Sequence, residues 1–140
     1  MIGVNMNSEQ IEKNLALLAQ KMGELGITGT ILLLGGAVMV AIVKNRPSTR
    51  DIDIVVATND AQQYRAIKRA ISLVAQENRL PDEWMNDDVT LIVDQIRHPQ
   101  KPTIWRDFGN LVVYVPELEY ILALKLFAAR PRMTGMFKLF

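Results

Sequence analysis

The stretch Ile31–Val56, ILLLGGAVMVAIVKNRPSTRDIDIVV, decides how this chain reads. An apolar run ends in Gly35-Gly36, and a second apolar run opens with Asp51-Ile52-Asp53. On a strand, residues i and i+2 point to one face, about 6.6–7 Å apart along the chain. Asp51 and Asp53 therefore share a face, while Ile52, Ile54 and Val56 point to the opposite one, into a core. Two carboxylates side by side repel each other, and a cation between them relieves the repulsion. Mg²⁺ prefers such hard oxygen ligands, one or two carboxylates completed by water and phosphate oxygens. A DxD pair beyond a glycine turn is thus a candidate metal–triphosphate site.

Outward from this stretch, helices alternate with short strands. Asn7 and Gln10 have the spacing of a helix N-cap and its box partner. Ile11, Leu15, Leu18, Met22 and Leu25 recur at helical spacing, and Gly26 suits the residue just past the helix end. Thr28–Leu34 reads as the first strand. Ala37–Val43 reads as a short buried helix, although periodicity alone also allows a strand. Residues 45–50 form a loop around Pro47 and Ser48, and Asp51–Val56 is the second strand. Asn59 or Asp60 caps a long helix with Tyr64, Ile67, Ile71, Val74 and Ala75 on its apolar face. Arg65, Lys68 and Arg69 flank that face as a solvated edge or an RNA contact. Pro81–Asp88 reads as a loop, Val89–Ile96 as the third strand, and Leu111–Val115 as the fourth. Pro116 and the acids Glu117 and Glu119 suit the start of a last helix that stops before Pro131. The order α-β-α-β-α-β-β-α predicts an α/β (α+β) fold, a small mixed sheet with helices covering one face, in a single domain over 1–140.

Composition narrows the chemistry. The 140 residues contain no cysteine, which excludes a disulfide framework, a zinc–thiolate cluster and a thiol nucleophile, and fits a cytoplasmic setting. The N-terminus lacks the blocks of a signal peptide, and the longest apolar runs fall short of the ~20 residues of a membrane span, so no membrane partner is expected. A net charge of +1 argues against a broad nucleic-acid surface. From Lys125 onward, however, there are Arg130, Arg132 and Lys138 and no acid. That run suits a helix C-terminus and equally a contact with triphosphate or polynucleotide. His98, the single histidine, sits before Pro99 in a polar loop and supports no catalytic pair. Trp84 and Trp105 read as packing residues. Neither GxxxxGK[ST] nor GxGxxG occurs.

The pattern GG, about a dozen residues, then DhD resembles the signature of the polymerase-β-type nucleotidyltransferases. The segment VYVPELEYILALKLFAARPR is similar to a helix of the nucleotidyltransferase-like toxins of abortive-infection and type IV toxin–antitoxin systems. Together the likenesses run from about Ile31 to Arg132 and imply a minimal nucleotidyltransferase fold. They imply Mg²⁺ on Asp51 and Asp53, phosphate at Gly35, Gly36 and Ser48, and Lys125 and Arg130 near the nucleotide. Metals about 3.5–4 Å apart would bridge the phosphates of an NTP during in-line transfer. The acceptor would be a hydroxyl on RNA, protein or a small molecule, deprotonated with help from Asp53 or a third acid, and an antitoxin would be a partner. Asp94, late in the expected third strand, is the best third carboxylate, with Asp87 and Asp88 read as loop acids.

The chain also departs from that toxin group. After R-x-R the group continues with acids, whereas this chain has Met133 and Met136 and ends at Phe140. Methionine does not ligate Mg²⁺. The sequence therefore reads as an NTP-using enzyme, shortened at its C-terminus relative to the group or with its site completed differently, or as a degenerate relative that binds nucleotide or a protein partner without transfer.

Overall fold

The computed structural model describes residues 5–128. Helix α1, Ser8–Glu24, begins with the expected reciprocal cap: Gln10 N–H donates to Asn7 Oδ1 and Asn7 N–H donates to Gln10 Oε1, both at 2.9 Å. Gly26, at φ +72°, follows its end. Strand β1 spans Gly29–Leu34, and α2, Gly35–Val38, follows with no intervening loop and runs on as a π-helical turn, Met39–Val43. Strand β2 is Ile52–Val56, and α3 is Ala61–Asn78, capped by Asp60 rather than Asn59. There follow β3 (Met85–Asn86), α4 (Thr90–Ile96), β4 (Thr103–Asp107), β5 (Leu111–Val115) and α5 (Leu118–Ala128).

The sheet is mixed, in the order β3-β2-β1-β5-β4. β1 runs antiparallel to β2 and parallel to β5, β3 is parallel to β2, and β4 is antiparallel to β5. The α+β class expected from the sequence is thus the class observed. Period-two alternation builds the layers. Ile31 and Leu33 of β1 and Ile52, Ile54 and Val56 of β2 bury one face against α1, α3 and the α2 segment. Leu32, Leu34 and Val55 face the other way and pack with Val93 of α4 and with Tyr120 and Leu124 of α5. Both faces are therefore covered, not one.

Two local expectations are corrected, and one strand is additional. Residues 89–96 form a helical segment, not a strand: the residues in the second core, Val89, Ile92, Val93 and Ile96, fall at i, i+3, i+4 and i+7, while Leu91 stands 74% exposed. The Pro81–Asp88 loop contains β3, which pairs Ile52 with Met85 and Asp53 with Asn86. Thr103–Asp107 is an edge strand whose residues are mostly exposed, so it carries little apolar alternation. A turn at Gly109, φ +91°, joins it to β5, with Gly109 N–H donating to Asp107 Oδ1 at 2.8 Å.

Trp84 bears out the packing expectation. It is 1% exposed, and its indole N–H donates to the Ile71 carbonyl at 3.0 Å, tying the segment before β3 to α3. Trp105 is half-buried against the same core, with the Arg106 guanidinium 4.5 Å from its ring centroid. Trp84→Ala is expected to cost about 3–5 kcal/mol, read as a lower urea midpoint by circular dichroism; a loss under about 1 kcal/mol would show that Trp84 does not anchor the core.

Candidate functional site

Asp53 sits on β2 between Leu34 of β1 and Asn86 of β3 in the strand register. By alternation it shares a face with Val55, at the margin of the second core. Its carboxylate lies directly against Gly35: a Cβ on Gly35 would come 2.2 Å from Asp53 Oδ2. Gly35 also has φ +64°, which disfavours any side chain. A Cβ on Gly36 would meet Thr49 Oγ1 at 2.7 Å and an Arg46 guanidinium nitrogen at 2.9 Å. The bare α-carbons thus receive the chain's own side chains. The sequence points to close approach at this turn; the structure adds that Asp53, Thr49 and Arg46 are what approach.

Two clefts meet here. The larger, about 650 Å³, is lined by Gly35, Gly36, Arg46, Asp53, Asp88 and Lys125, with Leu34, Met39, Val89, Ile92 and Leu124 among its apolar walls. The smaller, about 350 Å³, is lined by Arg46, Thr49, Arg50, Asp51, Asp53 and Glu83, among others. Gly36, Arg46 and Asp53 border both. Asp51 therefore faces the smaller cleft and Asp53 stands on the ridge between the two. Lys125 is an exposed residue of α5 that reaches the larger cleft.

Burial pushes the Asp53 carboxyl up to about 6, with the charges of Asp51 and Asp88 adding in the same direction and a side-chain hydrogen bond from Asn86 opposing them. Asp88, read from sequence as a loop acid, is thus the third carboxylate at the site. Asp94 is not: it lies on α4 with its side chain 57% exposed and pairs with His98 Nε2 at 3.0 Å. Ser48 lines neither cleft, and the neighbouring Thr49 is the buried residue, its hydroxyl donating to the Asp51 carbonyl at 3.1 Å. Arg130, Arg132, Met133, Met136 and Lys138 lie outside the described residues. Arg65 and Arg69 are exposed, as on a solvated edge, and Lys68 beside them pairs with Asp87 at 2.9 Å.

Arg46 and Asp88 were not singled out from sequence. Arg46 stands in a loop with no periodic signal, and Asp88 follows a segment whose two-residue strand is too short to read. The signal available for Asp88 was its place just before an i, i+3, i+4 apolar pattern, which turns residues 86–88 toward the start of a helix.

Among the described residues, no group of three or more His, Cys, Asp or Glu is gathered so as to hold a metal ion unaided. Mg²⁺ does not need such a cage, since one or two carboxylates suffice where substrate phosphates and water complete the octahedron. A half-buried carboxylate flanked by two others has the donor chemistry for that partial shell. No protein-family model matches the chain, and neither a curated protein nor a solved structure matches it. No helix among the described residues is long and apolar enough to cross a membrane.

The raised Asp53 pKa has a defined sign. A carboxyl that holds its proton more tightly folded than unfolded stabilises the fold most below its ordinary value of 3.8, and that contribution is lost as pH rises through about 6. In the absence of metal, Asp53→Asn is expected to exceed wild type in stability by about 1 kcal/mol at pH 7.5, after discounting for partial exposure. The gap should close toward pH 4 in paired thermal melts. A gap that does not change with pH would show that Asp53 is not strained by its neighbours.

Proposed function

We propose that this chain is a Mg²⁺-dependent nucleotidyltransferase that uses an NTP. The observation that carries the reading is the convergence on one cleft of Asp53, Asp88, Lys125, Arg46 and the Gly35–Gly36 turn, drawn from five separate parts of the chain. Asp51 and Asp53 would hold Mg²⁺, which when bound polarises phosphoryl oxygens and offsets their charge. Lys125 and Arg46 supply further positive charge toward the triphosphate, as a pre-set field that costs no reorganisation during reaction. The apolar wall of Met39, Val89, Ile92 and Leu124 would offer a surface for the nucleobase. The acceptor oxygen would attack the α-phosphorus as pyrophosphate leaves, and Asp88, bordering the cleft, would take the acceptor's proton. RNA, protein or small-molecule acceptors, a toxin role and an antitoxin partner rest on the sequence resemblance alone.

A second reading, nucleotide binding without transfer, is favoured by one observation: Asp51 borders the smaller cleft and not the larger. Turnover separates the two. NTPs are expected to bind in calorimetry with Mg²⁺ and far more weakly with EDTA, and Asp51→Asn with Asp53→Asn should remove that difference in a folded protein. Equal affinity in the double variant would exclude the site. With α-³²P-labelled NTPs and total RNA or cell protein, the enzyme reading expects a discrete labelled acceptor that the double variant lacks. Binding without any labelled product would establish the second reading.

Lys125→Ala tests the field across the cleft. Labelling is expected to fall by about tenfold or more, with little change in melting temperature because Lys125 is exposed. Unchanged labelling would remove Lys125 from the site.

A further inference from the structure

Asp87 and Asp88 are adjacent in sequence and serve opposite sides of the same loop. Asp88 borders the cleft beside Asp53. Asp87 turns away toward α3, where Tyr64 Oη donates to its Oδ2 at 2.5 Å and Lys68 Nζ to its Oδ1 at 2.9 Å. Tyr64 and Lys68 stand one helical turn apart, so a single rigid element supplies both donors. The Asp87 side chain is only 17% exposed, and each of its oxygens has a partner. The Asp87 carbonyl also accepts the Thr90 N–H at 3.0 Å as α4 begins. On the other side, Asp88 N–H donates to Asn86 Oδ1 at 3.2 Å, and Asn86 sits in register with Asp53.

The charges make this tether consequential. Asp88 and Asp53 border the same cleft, and Asn86 beside Asp88 is in register with Asp53, so the two carboxylates are held close enough to repel. A loop containing a two-residue strand would relax by swinging Asp88 outward unless something held it. We propose that Tyr64, Lys68 and Asp87 form a positioning clamp through which α3 holds Asn86 and Asp88 against Asp53. The clamp rests on the cleft being the site proposed above, but its geometry can be tested apart from that reading.

The probe is Mn²⁺ added to the full chain, with backbone amide NMR shifts as a second readout. Tyr64→Phe combined with Lys68→Met should shift the amides of Asn86, Asp88, Asp53 and Gly35, and should weaken Mn²⁺ binding by about tenfold. Adding Asp88→Asn to that pair should cost little more, since the clamp acts through Asp88. Lys68→Arg with Tyr64 retained should restore both readouts, which guards against a simple loss of folding. Amide shifts confined to residues 64, 68 and 87, with Asp88, Asp53 and Gly35 unmoved, would overturn the clamp whether or not Mn²⁺ binds. If wild type binds no Mn²⁺ while the cleft amides still shift, the metal site fails and the clamp stands.

Discussion

A carboxylate seated against a bare α-carbon is the constraint on which the rest of this structure depends. Asp53 fits on the second sheet face because Gly35 has no side chain and holds φ at +64°. Had an L-residue stood there, the direct passage from β1 into α2 would be strained and the Asp53 carboxylate displaced. The same turn brings Gly36 under Arg46 and Thr49, which fixes the returning chain just before β2. Strand, turn, loop and acidic residue are thus one packing unit, and the larger cleft is the space left beside it.

The central strands were legible as short apolar runs bounded by the Gly35–Gly36 turn and the Pro47 loop. Ile52, Ile54 and Val56 lie on the expected face, and the cap signals at Asn7, Gly26 and Asp60 match the termini of α1 and α3. Coverage of the other face was harder to see. Leu32, Leu34 and Val55 are apolar too, so β1 and β2 are buried on both sides, a pattern that alternation alone does not separate from a one-sided sheet. Residues 89–96 satisfy both periods at Val89 and Val93. The choice between them turned on Leu91, which a strand would bury and the helix exposes.

At the site, spacing brought Asp51 and Asp53 to one neighbourhood but did not distinguish the cleft each one borders. Gly36, Arg46 and Asp53 border both clefts and Asp51 only the smaller, a division shaped by a loop with no periodic signal. Asp94 is the natural third acid only if its segment is a strand. Once helical, it points to His98 and solvent, and Asp88 takes its place through β3, whose two residues are below what a pattern can register. Ser48 and Thr49 illustrate the limit from a different side: both are small hydroxyl residues, and only packing against Gly36 selects Thr49.

The outer strands have a consequence for life at high concentration. One border of the sheet is β3, two residues long; the other is β4, whose register slips between Ile104 and Arg106 and which carries Arg106 and Asp107 in the exposed row. A strand from another molecule needs a long, flat, uncharged run of amides to add to. Neither border offers one, since the first ends too soon and the second is bulged and charged. Among the described residues, the sheet thus presents one border that is short and one that is bulged and charged, features that disfavour strand addition from a neighbouring copy.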